Sequence, residues 1–369
     1  MIRDPGMSLH EKRSSRLAVA VLTACALCHI SMPIAADPQG GSVGYDRPPP
    51  AAAHAASPLE LMMESIVSVE AITSTEARTS KNFGVTRSGS GVVLDADGLV
   101  VTAGYLVAEA ESVSLTLNDG TRHSAEVIAY DNVTGLGLIR ALGNVTTVPI
   151  GIGDSEATEV GDLAMIIPAA GESEAKAVKV GKIKKYSGGW EYIVYNALHT
   201  YPPSTHFSGA ALVSDSAELL GIGGLVTIDI DIDPKVRVPG NIFVPVNSLM
   251  SVIGQLLVEG RSAGSKRPWI GLDTKKTKRG VAVSSLENDA PAKNAGLRSG
   301  DILVAVAKQQ VKNQIDFYEK IWKAVAPGES IDILVLRGDE YRSISVDTVD
   351  YYDWLRLPAQ KTQLSELSE

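Results

Sequence analysis

The chain has 369 residues, 44% of them hydrophobic and 21% charged, with a formal net charge of −9. This is globular composition, long enough for two domains of about 150 residues with a core each, and neither disordered nor fibrous. The acidity argues against a nucleic-acid partner, whose phosphates demand clustered Lys and Arg. Because the only two cysteines are Cys25 and Cys28, the rest of the chain has no disulfide framework or zinc knuckle.

Arg3, Lys12, Arg13 and Arg16 precede an apolar run from Leu17 to about Ile34, which ends in Ala35-Ala36. A basic flank, an apolar stretch and small residues describe a secretory signal and place the protein in the periplasm or cell envelope. Two endings are open. Cleavage after Ala36 makes residues 1–36 a signal peptide. Cleavage before Cys25, in Leu22-Thr23-Ala24-Cys25, resembles a lipoprotein signal over 1–24 and would attach an acylated Cys25 to a membrane. A retained anchor is disfavoured by His29 and Pro33, which interrupt a run barely long enough to span. Cys25-Ala26-Leu27-Cys28-His29 spells the c-type haem attachment pattern. It lies inside the stretch a signal would remove, so no cofactor is expected. Residues 37–58, rich in Pro, Gly and Ala, read as a disordered tether.

From 59 to 258 short apolar runs alternate with turn signals, as in Gly91 to Leu94 before Asp95-Ala96-Asp97-Gly98, and Val113 to Leu117 before Asn118-Asp119-Gly120. Many short strands at this spacing predict an all-β barrel or sandwich. Helix-period patterns are confined to residues 59–71 and 246–257. In Ile228-Asp229-Ile230-Asp231-Ile232-Asp233 the alternation suggests a strand with a solvated acidic face and buried isoleucines. Calcium binding is the less favoured reading, and no metal site is expected.

Ser88-Gly89-Ser90-Gly91-Val92-Val93 through Gly98-Leu99-Val100-Val101-Thr102 resembles the entry to the trypsin-fold domain of HtrA/Deg-type serine proteases. The likeness continues in order through Asp131 to Arg140, Gly151-Gly153-Asp154-Ser155, Ser208-Gly209-Ala210-Ala211-Leu212 and Phe243-Val244-Pro245. It implies a mainly β fold, a trypsin-like double β-barrel followed by a small α+β PDZ domain. By the resemblance, the family's general base follows Thr-x-x; here Thr102-Ala103-Gly104-Tyr105 puts Tyr105 in place of the histidine. A phenol of pKa about 10 is a poor base at neutral pH. The aspartate that orients the histidine is replaced by Gly135 in Asp131-Asn132-Val133-Thr134-Gly135-Leu136. Asp131, four positions earlier, matches a turn residue and is a weak substitute. The nucleophile position is kept as Ser208, while His206 stands where the family has the glycine of the oxyanion loop.

A rebuilt base is the competing reading. His206 is two residues from Ser208, about 6.6 Å away along an extended backbone. His199 and His123 are the other candidates, and all three read more simply as surface histidines. The resemblance therefore implies a degenerate, non-proteolytic member, with an active endopeptidase using Ser208 and a rearranged base as the alternative.

After a polar linker at 259–267, Pro268-Trp269-Ile270-Gly271-Leu272 resembles the carboxylate-binding loop of the PDZ domains in these proteins. Asp289-Ala290-Pro291 through Gly300-Asp301-Ile302 resembles their short helix and Gly-Asp turn. The PDZ-like domain is set at 268–350, with a helix at 315–325 beside its groove. Residues 351–369 form a tail whose Trp354 and Leu355 pack back. Trp269, Ile270, Gly271 and Leu272 are the expected peptide-binding residues, for peptides or protein C-termini captured by strand addition and backbone N–H groups. Trp269 and Leu272 also fit as core residues. The resemblance further implies a possible homotrimer.

Overall fold

A computed structural model describes residues 57–187, 192–233 and 236–357. The secretory signal, Cys25, the haem-like motif, nearly all of the tether and the last residues of the tail lie outside these ranges. Ser57 caps the first helix, α1 (Pro58–Met63): its hydroxyl accepts from the Glu60 N–H at 3.1 Å, and the Glu60 carboxylate accepts from the Ser57 N–H. The helix expected over 59–71 stops there. Ile66–Thr73 is a strand, β1, whose β-branched Ile66, Val67, Val69 and Ile72 are stiff at χ1 and suit a pleated surface.

With β1, strands β2 (Thr86–Val93), β3 (Leu99–Ala103), β4 (Ala110–Thr116), β5 (Arg122–Asp131) and β6 (Leu136–Ala141) close a barrel in the order β1-β2-β3-β6-β5-β4. Two short helices, α2 (Ser80–Phe83) and α3 (Gly104–Val107), interrupt it. Val67, Val69, Val100, Leu115 and Ile139 fill its interior.

A second sheet contains β7 (Gly151–Ile152), β8 (Leu163–Ile167), β9 (Lys176–Ser187), β10 (Ile193–Tyr201), β11 (Ala211–Val213), β12 (Glu218–Asp233) and β13 (Val236–Pro245). The order β11-β8-β9-β10-β13-β12 closes through the β11–β12 pairing, and β7 adds in parallel to β12. Two closed six-stranded barrels result, joined by a shared core that includes Val92, Leu138, Ile167, Ala211 and Val244.

The acidic alternation falls on β12 but does not behave as expected. Ile230 is buried, whereas Ile228 is 81% and Ile232 is 43% exposed. Register shifts between Thr227 and Ile230 and between Asp231 and Asp233 break the period of two that would have aligned the isoleucines. Asp231 is paired with Lys182 and Arg237.

Helices α4 (Val246–Met250) and α5 (Ile253–Glu259) lead to the third unit. It comprises β14 (Pro268–Trp269), β15 (Leu272–Thr277), β16 (Gly280–Leu286), α6 (Pro291–Asn294), β17 (Ile302–Val306), β18 (Gln309–Gln310), α7 (Gln314–Ala324), β19 (Ser330–Arg337) and β20 (Glu340–Asp347). Then come β21 (Val349–Asp350), which pairs with β14, and α8 (Tyr351–Trp354). The sheet runs β15-β16-β17-β19-β20, so β15 is an edge strand, and α7 packs Phe317, Tyr318 and Ile321 inward.

The segments read as linker and tail are fastened to the first barrel. Ser262 donates from its hydroxyl (2.7 Å) and its N–H (3.3 Å) to one oxygen of buried Asp131, whose other oxygen accepts from Thr134. The Tyr352 hydroxyl donates to the Tyr130 carbonyl at 2.8 Å, and the Arg356 N–H donates to buried Glu109 at 2.6 Å. Trp354 packs on Trp269 with ring centroids 4.5 Å apart, the packing expected for the end of the chain.

Candidate active site

The site forms where β3 runs into α3 and where the loop before β11 returns beneath β2. Ser90, on β2, ties the two sides together. Its N–H donates to the Ser208 carbonyl at 2.8 Å, and its carbonyl accepts from the Thr102 hydroxyl at 2.6 Å. The Tyr105 ring stacks on Phe83 at 5.0 Å, and its hydroxyl donates to Ser208 Oγ at 2.6 Å. Burial pushes the Tyr105 phenol above its ordinary pKa, outweighing the opposite effect of the Ser208 hydrogen bond. The phenol therefore stays protonated at neutral pH. A serine is activated by a neighbour that takes its proton; here the neighbour gives one.

Gly135 adopts a left-handed conformation with φ +73°. A Cβ built there would lie 2.3 Å from the Tyr192 hydroxyl and 2.4 Å from its ring. Tyr192 donates to the Thr134 carbonyl at 3.2 Å, and burial pushes its phenol strongly upward. An aromatic ring from the approach to β10 thus fills the space beside Gly135 and leaves no room for a side chain there.

His206 is turned to another partner. Its Nδ1 lies 3.2 Å from Glu174, and its backbone N–H donates to Ser204 Oγ at 3.2 Å. That N–H is thereby engaged within the loop. The other two candidates separate from the site. His123 is half-buried on β5. His199, expected at the surface, is buried on β10 between β9 and β13, its ring edge-on to Tyr186 at 6.1 Å.

In the third unit, Trp269 is 3% exposed and lies against Trp354 and Tyr351. Its place is between the unit and the terminal helix α8. Gly271, at φ +77°, has no room for a side chain: a Cβ would stand 2.3 Å from the Cβ of Ala290. Ile270 and Leu272 point into the core of this unit.

Residues 89–222 match the family model of the trypsin-like peptidase domain, and residues 268–348 match that of the PDZ domain. The serine endoprotease DegS of Escherichia coli strain K12 is 24% identical over 285 residues, covering 71% of this chain and 77% of the relative. The chain joins a trypsin-like peptidase domain to a PDZ domain, and in this it is similar to the HtrA-type proteins. A probable periplasmic DegP-like serine endoprotease of Halomonas elongata is 25% identical over 286 residues, 72% of this chain but 57% of the longer relative. Among solved structures, the HtrA-type protease AlgW with a decapeptide aligns with 19% identity and a TM-score of 0.48, over 82% of this chain and 98% of its own.

Within the trypsin-like domain the structure brings Tyr105 and Ser208 together and leaves Gly135 beside Tyr192. Sequence reasoning missed Tyr192, Ser90, Glu174 and Ser204. Tyr192 is 57 positions from Gly135 and was legible only as the start of a strand. Its role comes from the meeting of two barrels, which local pattern does not encode.

Proposed function

We propose that this chain is an exported HtrA-type protein that has given up peptidase chemistry. It binds peptides or protein termini through its PDZ domain, as an adaptor, chaperone or assembly factor. The observation that carries the reading is the hydrogen bond from Tyr105 to Ser208, with Tyr192 closing the space at Gly135. Loss of the histidine of a serine-protease triad costs about 10⁶ in turnover, and what remains leans on an intact oxyanion hole. Here the base and its orienting carboxylate are both replaced, and the His206 N–H is drawn to Ser204.

The basic and apolar N-terminus supports export, and the periplasmic description of the DegP-like relative agrees with it. Acylation of Cys25 and a homotrimer are further parts of this reading. Peptide binding is supported by the PDZ match and by β15 standing at a sheet edge, where an added strand can pair. Treatment of the purified protein with a fluorophosphonate probe tests the chemistry. No label on Ser208 is expected; a stoichiometric label lost in Ser208→Ala would favour an active endopeptidase with a rearranged base.

A further inference from the structure

The PDZ sheet turns an apolar row outward. Successive residues of a strand point to opposite sides, and Val281, Val283, Leu303 and Val335 face the core of the unit. Their neighbours Ala282, Ile302 and Leu336 therefore lie on the outer face. The register aligns them across all five strands: Lys275 opposite Ala282, Ala282 opposite Ile302, Ile302 opposite Leu336, and Leu336 opposite Tyr341. Tyr341, at the far end of the row, is 67% exposed. An open depression of about 350 Å³ lies over Ala282, Ile302 and Leu336.

The other end of the row is the tip of the β15–β16 hairpin, and it is cationic. Lys275, Lys276, Lys278 and Arg279 fill four of five successive positions, all exposed, in a chain of net charge −9. Thr277 pairs with Gly280, which leaves Lys278 and Arg279 as a two-residue turn. The Thr277 hydroxyl stiffens it, accepting from the Arg279 N–H at 3.2 Å and donating to the Gly280 carbonyl at 2.8 Å. The carboxylates of the neighbouring turn are engaged, Asp339 at 3.6 Å from Arg279 and Glu340 at 2.6 Å from Arg342. Lys275, Lys276 and Lys278 have no carboxylate partner among the described residues, so their charge is left over.

We propose that this hairpin tip and sheet face seat the PDZ domain on an anionic lipid surface. The lysine stems lie along the apolar floor while the ammonium groups reach the headgroup phosphates. The Tyr341 ring, apolar in body and polar at its tip, sits at the headgroup level. Lysine is a point charge without the fixed fork of arginine, which suits a fluid array of phosphates better than one oriented anion. Surplus basic charge beside an aromatic and two aliphatic side chains is the chemistry of a membrane interface. The inference depends neither on the peptidase reading nor on acylation of Cys25.

The test is sedimentation of the full chain at low salt with vesicles of phosphatidylglycerol and phosphatidylcholine in equal parts, and with phosphatidylcholine alone. Lys275→Gln/Lys276→Gln/Lys278→Gln removes the surplus charge and Tyr341→Ser removes the ring, both at exposed positions. Circular dichroism checks that both variants stay folded. Parent and variants share one N-terminus, so their difference reads the PDZ face. The parent should bind the anionic vesicles about a hundredfold more tightly than the triple variant, each lysine near a charged surface being worth about fivefold. Tyr341→Ser should bind them several-fold more weakly than the parent, and the effect of the lysines should vanish on phosphatidylcholine. Equal binding of the parent and the triple variant to anionic vesicles overturns the proposal. A loss in the triple variant that Tyr341→Ser does not share also overturns it, and assigns the lysines to a soluble acidic partner.

Discussion

The Tyr105 hydroxyl donates to Ser208 Oγ across 2.6 Å, so the serine faces a hydrogen-bond donor where catalysis needs an acceptor. The pair is therefore read as a structural link between the two barrels. Replacing Ser208 by Ala leaves a half-buried phenol without its acceptor, at a cost of about 1–2 kcal/mol, whereas Tyr105→Phe costs about 1 kcal/mol. Urea denaturation of the two single variants and the double variant measures this. The double variant should recover part of the Ser208→Ala loss; a neutral Ser208→Ala would contradict the link.

On the proposed reading, introducing a histidine at 105 and a carboxylate at 135 should fail without changing Tyr192. Tyr105→His alone leaves no carboxylate to orient the ring. Gly135→Asp meets both a left-handed backbone and the Tyr192 ring 2.4 Å from its Cβ. Left-handed strain and overpacking together predict a loss of about 2–4 kcal/mol. Thermal melting checks the loss, and adding Tyr192→Ala should recover at least part of it.

In the PDZ domain Asp301 is 1% exposed and receives two hydrogen bonds from Arg337, each 2.7 Å, with a third from the Arg298 N–H at 2.8 Å. Burial alone would raise its pKa, but the Arg337 and Arg298 contacts outweigh it and hold the carboxyl below its ordinary value. A carboxylate depressed in the folded state contributes stability that is complete above its unfolded pKa, near 3.9, and is lost as pH falls through the folded value. The PDZ domain should lose stability in acid below about pH 4. Asp301→Asn should remove that dependence and cost about 3–5 kcal/mol at neutral pH by leaving Arg337 without its charge partner. Melting curves across pH for both proteins report it.

Asp131, fully buried, joins the Thr134 turn to Ser262 in the connection between the domains. Asp131→Ala leaves two N–H groups and two hydroxyls short of an acceptor. A loss of about 2–4 kcal/mol is expected from these unmade bonds. Limited proteolysis should show new cleavage near Ser262 in the variant; an unchanged digestion pattern would count against a fastened connection.

Much of this was legible in the chain itself. Short apolar runs punctuated by Asp-Gly turns marked the barrels, and the stretch around Gly300-Asp301 marked the PDZ turn. Tyr105 and Gly135 could be set against the family pattern residue by residue. What escaped depends on packing between distant segments. Residues 59–71 suggested one helix, but β-branched Ile66, Val67 and Val69 close a barrel instead. Bulges in β12 turned Ile228 and Ile232 outward. His199 is buried on a covered face of its sheet, where its ring meets Tyr186, and Ile193 is buried because it packs into the core of a second domain.

The central claim is that Ser208 supports no peptide hydrolysis. The most direct measurement is the turnover of denatured casein by the purified protein beside its Ser208→Ala variant, followed by release of acid-soluble peptides. The account predicts two indistinguishable traces at the uncatalysed background. Steady hydrolysis by the parent protein that disappears in Ser208→Ala would contradict it.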